Sequence, residues 1–303
     1  MSNCKSTGRI APFRYPVLNP LHASSFPGSV SVIPCLSQVC SLSAPLETTL
    51  ADYAAGKCAA VELWLTTIED FLRRKSAADL SQLLAEHRLT VPAAAYQGGL
   101  LASQGERRAE AWKLFISRLE LCRELNIPTI IVACDVPAPL SQETIERVQV
   151  SLRQAALEAG QRGVRVALEF QANSALGNNL QTAAALVGEV GSPHLGLCLD
   201  AYHWYTGPSK TEDLNYLTVE NLFHVQFSDI ADVPRELASD SQRIIAGDGD
   251  IPLPTIVEHL RRIGYRGAVS LEILNPQLWP IPPLQMGEIG MTAMRKILGQ
   301  AKN

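Results

Sequence analysis

The sequence predicts an α/β protein folded as a single (β/α)8 TIM barrel, and three observations support this. Eight short runs rich in Val, Ile, Leu and Ala alternate with longer amphipathic segments. Most of these runs show no polar alternation, which is typical of strands buried on both faces of a parallel sheet. From residue 30 onward the chain has about 34 residues for each strand–helix unit, and eight such units fit a barrel better than a doubly wound sheet.

Each predicted element has its own sequence signal. The predicted strands cover residues 30–36, 59–65, 91–96, 129–134, 165–170, 195–200, 222–228 and 268–274. Helical patterns lie near residues 46–55, 67–87, 104–125, 141–161, 180–190, 210–217, 253–263 and 286–299. Ser141 is a suitable cap for the fourth helix, and Gly264 is a suitable end for the seventh. No Gly-rich phosphate or dinucleotide loop follows the first strand, which further disfavours a doubly wound sheet.

Composition limits the partners and the domain organisation. Twenty-six basic and thirty acidic residues give a net charge of −4, which disfavours nucleic acid as a partner. No apolar stretch reaches the roughly 20 residues of a membrane span, so we predict no membrane partner. We interpret residues 1–28 as a flexible leader and residues 29–303 as one catalytic barrel domain. A homo-oligomer is compatible with this organisation.

The seven cysteines indicate a cellular compartment. Their number is odd, they form no CxxC pair, and several lie inside apolar runs. This pattern is typical of buried free thiols in a reducing environment and not of a disulfide framework. We therefore predict a cytoplasmic protein.

Polar residues interrupt the last four predicted strands near their carboxyl ends, where a TIM barrel carries its chemistry. They are Glu169, Asp200, Gln226 and Glu272. A carboxylate between large apolar neighbours is costly to bury unless a cation compensates it, and no Arg or Lys lies within these strand ends. Oxygen donors of this kind suit one divalent ion, with Mn²⁺ or Mg²⁺ as the first candidates and Co²⁺ as the next.

Three further residues are candidates for the same site. His224 and Gln226 are two positions apart and share a strand face, so the spacing leaves open which of them is the metal ligand. His203, three residues after Asp200, can hydrogen-bond a substrate oxygen or be a residue of the helix start. Glu62 ends the second strand between apolar neighbours, where it can orient a substrate hydroxyl or another site residue.

With these residues assembled, the chain resembles the sugar isomerase/epimerase superfamily of xylose-isomerase-like TIM barrels. The segments that carry the resemblance are AVELW, LEF, LDAYH, HVQFSD and GDGDIPLPTIVEHLRRIGYRGAVSLEIL. In that superfamily the last four strands supply the metal ligands, which map onto Glu169, Asp200, Gln226 and Glu272. The H-x-Q pattern resembles the hydroxypyruvate isomerase branch, where the glutamine is the ligand, and departs from the H-x-H pattern of the epimerases. The resemblance therefore favours Gln226 over His224.

The resemblance also implies a reaction. Members isomerise or epimerise a sugar or another small hydroxy-carbonyl compound by proton abstraction through a metal-stabilised cis-enediolate. Glu169 and Glu272 would be the catalytic acid and base, and their order is left open. Arg235 resembles the loop arginine that binds substrate, although a solvated loop charge is its alternative interpretation.

Other functions use the same scaffold. The nearest alternative is an inosose- or dehydroshikimate-type dehydratase with the same metal site. A catalytically silent, sugar-binding barrel is another, but binding alone needs no pair of glutamates placed as bases. An endonuclease IV-like enzyme would need many histidines at the barrel mouth, whereas the chain has six in total.

Overall fold

The computed structural model describes residues 32–301. Its strands are β1 (Ile33–Ser37), β2 (Val61–Trp64), β3 (Ala94–Gln97), β4 (Thr129–Cys134), β5 (Arg165–Phe170), β6 (Leu195–Asp200), β7 (Leu222–Phe227) and β8 (Ala268–Leu271). They form one closed barrel in chain order, in which every pairing is parallel and β8 pairs with β1. The predicted (β/α)8 barrel is confirmed. The predicted leader, residues 1–28, lies outside the described residues.

Helices surround the barrel. They are α1 (Leu46–Ala55), α2 (Leu65–Leu72), α3 (Ala77–Glu86), α4 (Gly105–Glu124), α5 (Gln142–Gln161), α6 (Leu180–Val190), α7 (Ala201–Thr206), α8 (Leu253–Ile263) and α9 (Pro283–Ile297). Within the described range, no helix has both the length and the apolar character needed to cross a membrane.

Two predicted helices differ from the structure. The pattern near 67–87 is two helices, because Ser76 and Asp79 form a capping box that starts α3 afresh. The pattern near 210–217 is a 3₁₀-helix over Thr211–Tyr216. Helix α7 was not predicted; it follows β6 directly, with Asp200 as its cap.

The seam between β1 and β8 is covered by α1 and α9, which pack against each other. Gly56 and Gly287 allow this close contact, since a Cβ on Gly56 would lie 2.9 Å from the Gly287 carbonyl carbon. Inside the barrel, the strand register sets neighbouring polar groups side by side. Asp200 is paired with Gln226, and Gln226 with Ser270, across adjacent strands.

Candidate active site

A cavity of about 500 Å³ opens at the carboxyl ends of the strands. Among the groups that line it are Glu169 from β5, His203 from α7 and Glu272 after β8. Trp64 at the end of β2 and Tyr96 in β3 line it from the other side. The cavity thus lies where TIM barrels place their chemistry.

Glu169, Asp200 and His203 come together in a compact cluster. Each offers a ligand atom, and these atoms all lie within 4.8 Å of one another. Asp200 ends β6, and its Oδ1 accepts hydrogen bonds from the backbone N–H groups of Tyr202 at 2.7 Å and His203 at 3.4 Å. This cap fixes the Asp200 carboxylate and starts α7, which in turn positions His203.

The Glu169 carboxylate is poorly compensated. Burial raises the pKa of Glu169 well above its ordinary value, and the nearby Asp200 carboxylate raises it further. Within residues 32–301, no group donates a hydrogen bond to this carboxylate, and His203 Nε2 is 3.8 Å from its Oε1. A carboxyl group in this environment is suited to carry a proton or to take up a cation.

Arg243 supplies a cation that the sequence analysis did not identify. Its side chain is 1% exposed, and Nη1 donates to Asp200 Oδ2 at 2.8 Å and to Glu272 Oε2 at 3.2 Å. Nε and Nη2 donate to Asp240 Oδ1 at 3.0 and 2.7 Å. The guanidinium also lies over the Tyr202 ring, 4.2 Å from its centroid. Arg243 therefore joins the ends of β6 and β8.

These contacts shift three pKa values. Burial opposes the charged form of Arg243, but its neighbouring carboxylates raise its pKa well above the ordinary value. Burial likewise opposes the charged form of Asp200, but the Arg243 guanidinium and His203 hold its pKa below the ordinary value. The pKa of Glu272 is raised well above the ordinary value by burial, even though Arg243 opposes the shift. Asp200 is thus the carboxylate that stays ionised most readily.

A folded-back loop places Arg243. Asp229 and Ile244 form an antiparallel bridge, with hydrogen bonds of 3.1 and 2.8 Å between their backbones. Asn275 Nδ2 donates to the Arg243 carbonyl at 2.9 Å. Gly249 permits the tight return of the loop, because a Cβ there would lie 2.2 Å from the Ile230 carbonyl oxygen. The GDGD motif at 247–250 is therefore a device that folds this loop over the barrel.

Gln226 lies between two carboxylates. Its Nε2 donates to Glu272 Oε1 at 2.8 Å and to both oxygens of Glu62 at 3.3 Å. Its Oε1 accepts from the Cys198 thiol at 3.0 Å. To present Oε1 to a metal ion, the amide would have to turn and give up its bonds to the carboxylates. The ligand role of Gln226 remains a prediction.

Glu62 and His224 form a buried pair beneath Gln226. His224 Nε2 lies 2.6 Å from Glu62 Oε2 and 3.0 Å from Ser270 Oγ, and neither Glu62 nor His224 is more than 1% exposed. Glu62 is not among the residues that line the cavity. Of the two roles considered for Glu62, the contacts support orienting another site residue, namely Gln226.

His203 directs Nε2 toward the cluster, 3.9 Å from Asp200 Oδ2. Burial lowers the pKa of His203. The backbone N–H of Ala172 donates to Nδ1 at 3.4 Å, and Arg243 Nη2 lies 3.5 Å from Nε2, so these contacts do not select one tautomer. The substrate-binding role of His203 remains a prediction.

The structure does not place Arg235 in the cavity. Arg235 lies in a 3₁₀-turn after β7, its side chain is 49% exposed, and it pairs with the adjacent Glu236. Arg243, eight positions later, is the arginine of this loop that lines the cavity. The substrate-binding role of Arg235 remains a prediction, and Arg243 is a second candidate in the same loop.

Two aromatic rings and three polar side chains form the opposite side of the cavity, which we call the aromatic wall. Its residues are Trp64, Tyr96, Gln97, Arg118 and Asp135. The rings of Trp64 and Tyr96 are stacked, with centroids 4.4 Å apart and an interplanar angle of 26°. Arg118 reaches this wall from α4 and makes a two-point ion pair with Glu69, at 2.7 and 3.1 Å.

The donor set fits a divalent metal ion. Four carboxyl groups meet at the site, from Glu62, Glu169, Asp200 and Glu272. Among the described residues, Arg243 is the single Arg or Lys that bonds to any of them. The cluster therefore lacks positive charge, and its carboxylate oxygens and imidazole are ligands that divalent cations accept.

The chain belongs to the xylose isomerase-like TIM barrel family, whose model matches residues 51–297. Its relatives carry more than one activity. It is 30% identical over 170 residues to an inosose isomerase of Halalkalibacterium halodurans, covering 55% of this chain and 60% of that protein. It is 26% identical over 180 residues to a 3-dehydroshikimate dehydratase of Pseudomonas putida, covering 58% of this chain and 28% of that protein.

A solved structure extends the comparison. The IolI protein, whose crystal structure holds a zinc atom, superposes with a TM-score of 0.82 at 20% identity, covering 90% of this chain and all of that one. At this identity the likeness shows the fold. The two curated relatives are matched over 60% and 28% of their own lengths, so the reaction is left to be assigned from the site.

Proposed function

We propose that this protein is a divalent-metal-dependent isomerase or epimerase of a small hydroxy-carbonyl compound of the sugar or cyclitol kind. The observation that carries the proposal is the pair of glutamates lining one cavity. Glu169 lies beside Asp200, Glu272 is bonded to Arg243, and burial raises the pKa of both. Two such groups can remove a proton at one position and return it at another. The inosose isomerase relatives support this class of reaction.

Glu169 and Asp200 are proposed to hold the metal ion, together with Glu272 and Gln226. When bound, an ion such as Mn²⁺, Mg²⁺, Co²⁺ or Zn²⁺ supplies a Lewis acid that polarises the substrate carbonyl and acidifies the adjacent C–H group. The imbalance between carboxyl groups and cations at the site supports this assignment. The zinc atom of the structural neighbour agrees with it.

The two glutamates have different surroundings, which supports a different role for each. No described group donates a hydrogen bond to Glu169, whereas Glu272 accepts from Gln226 at 2.8 Å and from Arg243 at 3.2 Å. Hydrogen bonds stabilise a carboxylate and make it a weaker base. Glu169 is therefore the stronger base and takes the proton from carbon. Glu272 returns a proton at the neighbouring carbon or on the opposite face.

Neutral groups and Arg243 orient the substrate oxygens. His203 directs Nε2 to the space beside Glu169, where it can hydrogen-bond a substrate hydroxyl. Arg243 fixes Asp200 and Glu272 relative to each other, which keeps the two proton-transfer sites in register. Such pre-set positioning lowers the barrier, because few groups have to move during the reaction.

A dehydratase is the second candidate function, and the 3-dehydroshikimate dehydratase relatives favour it. The first step is the same proton removal. The difference lies in Glu272, which would then protonate a departing hydroxyl instead of a carbon. Loss of water from the substrate distinguishes the two reactions directly.

Solvent exchange tests the proposal. We expect Mn²⁺-loaded protein, incubated in D₂O with ketoses, inososes, hydroxypyruvate and tartronate semialdehyde, to incorporate deuterium beside one carbonyl, as read by NMR. Glu169→Gln keeps the volume but cannot accept a proton, so exchange should fall by at least about 10²-fold while metal is retained.

The exposed Glu288→Gln, on α9 and outside the cavity, is the matched control and should exchange like wild type. Absence of exchange in the loaded wild type with every substrate would overturn the proposed function. Wild-type exchange in loaded Glu169→Gln would remove Glu169 as the base.

A further inference from the structure

The aromatic wall takes no part in the chemistry assigned above, yet it forms one side of the same cavity. Tyr96 is 57% exposed, although its neighbour in the stack, Trp64, is 8% exposed. Aromatic rings normally lose water contact when they stack in a core, and this one keeps an uncovered face toward the cavity. The wall therefore offers a flat apolar surface to a ligand.

The backbone of Tyr96 is held in an unfavourable conformation. Its φ is +82°, in the left-handed region that non-glycine residues rarely adopt. Arg118 Nη1 donates to the Tyr96 carbonyl at 2.8 Å and to Gln97 Oε1 at 3.2 Å, which holds this backbone in place. A tyrosine kept there at a conformational cost, with its ring exposed, indicates a binding role and not a packing role.

Both arginines of the cavity lining are already satisfied. Arg118 uses Nε and Nη2 on Glu69 and Nη1 on Tyr96 and Gln97, and it is 5% exposed. Arg243 directs donors from all three of its nitrogens to Asp200, Glu272 and Asp240. In the described part of the chain, no further Arg or Lys lines the cavity.

The acceptors, in contrast, are plentiful. Four carboxyl groups line the cavity, from Asp135, Glu169, Asp240 and Glu272. Asp135 Oδ2 accepts from the Gly99 backbone at 2.6 Å, and Oδ1 has no donor among residues 32–301. Hydroxyl groups can donate to such oxygens, whereas a carboxylate or phosphate would be repelled.

We propose that the aromatic wall is a binding subsite for the ring face of an uncharged polyol, and that the cavity rejects rings bearing a carboxylate. The Trp64–Tyr96 stack covers the C–H face of the ring, and Asp135 accepts from its hydroxyls. The inference rests on the proposed function and narrows its substrate class. It favours a cyclitol-type ketone over dehydroshikimate or hydroxypyruvate, both of which are anions.

Calorimetric titration of the Mn²⁺-loaded protein tests the subsite with two probes of similar ring size. The probes are myo-inositol, which is uncharged, and shikimate, which carries a carboxylate. We expect myo-inositol to bind at least about tenfold more tightly than shikimate. Tyr96→Gly removes the ring and suits the positive φ, so the variant should fold and bind myo-inositol about five- to tenfold more weakly. Tyr96→Phe keeps the stack and should bind like wild type.

A charge variant tests the rejection of anions. Asp240→Ala frees two donor nitrogens of Arg243, so shikimate binding should strengthen about tenfold while myo-inositol binding changes little. Asp70→Ala, an exposed change of equal charge on α2 and outside this cavity, should alter neither affinity.

Three results would each overturn the subsite: shikimate binding as tightly as myo-inositol, unchanged myo-inositol affinity in Tyr96→Gly, or no binding of either probe. These results are independent of the deuterium-exchange assay. A protein that exchanges protons but prefers shikimate overturns the subsite alone. A protein that prefers myo-inositol but exchanges with no substrate overturns the isomerase proposal alone.

Discussion

The two sides of the cavity use arginine in opposite ways. On the side formed by β5 to β8, Arg243 serves three acidic residues, yet Glu169 still has no hydrogen-bond donor among the described residues. On the aromatic wall, Arg118 is matched by one carboxylate, Glu69, and by neutral oxygens. Arg243 is thus shared among three carboxylates, whereas Arg118 has one carboxylate partner.

This difference separates reactivity from shape. A group whose charge is incompletely compensated has a shifted pKa and responds to a bound ion or substrate. A group whose partners are complete holds its neighbours in one geometry. Arg118 accordingly forms a rigid surface with Trp64 and Tyr96. Arg243, in contrast, contacts the carboxyl groups whose pKa values are shifted.

The largest effect is expected from removing Arg243, which bonds to three acidic residues. Arg243→Met leaves Asp200 and Glu272 buried without their cation, so the free energy of unfolding of the metal-free protein should fall by about 3–5 kcal/mol. Mn²⁺ should restore part of this loss, because the ion replaces the missing charge. Urea denaturation with and without Mn²⁺ measures both effects. Arg266→Met, on an exposed arginine, should stay within about 0.5 kcal/mol of wild type, and an equal loss there would contradict the assignment.

Measured Mn²⁺ affinities test which residue of β7 is a metal ligand. If Gln226 is a direct ligand, Gln226→Ala should weaken Mn²⁺ binding by more than the roughly 10–100-fold expected for an outer-shell residue such as His224. The turn of the amide that ligation requires is available only if its bonds to Glu62 and Glu272 can break. Calorimetric titration of Gln226→Ala and His224→Ala gives the order directly. A larger loss in His224→Ala would assign the ligand to the histidine.

Substitutions in the aromatic wall should weaken substrate binding and leave turnover nearly unchanged. Arg118→Met removes the donor to the Tyr96 carbonyl and unpairs Glu69, which is half-buried, so we expect a stability loss of roughly 1–3 kcal/mol. KM should rise severalfold as the Tyr96 ring loosens, with kcat nearly unchanged. Steady-state kinetics separates the two constants. Arg123→Met, which breaks an exposed ion pair on the same helix, is the control, and a fall in kcat for Arg118→Met would place Arg118 in the chemistry.

The smallest effect is expected outside the cavity. Arg235→Ala changes an exposed side chain paired with its sequence neighbour, so stability should stay within about 0.5 kcal/mol and KM within about twofold. The same denaturation and kinetic measurements apply. A tenfold rise in KM would support the substrate-binding role that the sequence predicts for Arg235.

The barrel was predictable because its strands are defined by local composition. The predicted bounds of β4, β5 and β6 match the structure, since each contains at least three consecutive apolar residues or alternates little with polar ones, and each lies between polar turns. The break between α2 and α3 was missed, although Ser76 and Asp79 have the spacing of a capping box. Helix α7 was missed because its start depends on Asp200, which the sequence analysis treated as a ligand and not as a cap.

The site was only partly predictable for a different reason. Glu169, Asp200 and Glu272 stand out because a charge in an apolar strand is locally anomalous. Arg243 has no such signal: it lies in a polar loop, and a long-range backbone bridge between Asp229 and Ile244 brings it back over the barrel. A position fixed by contacts distant in sequence is not visible in the local pattern.

The Gly56–Gly287 contact has a consequence for how the chain is made. Strand β1 is paired with β8, and α1 rests on α9, at a sequence separation of about 230 residues, and contacts this distant in sequence form slowly. During synthesis on the ribosome, the edge of β1 that pairs with β8 therefore stays unpaired until almost the whole polypeptide has emerged. A truncated product that ends before β8 would leave the edge of β1 unpaired and would be expected to associate with other nascent chains or to be captured by chaperones.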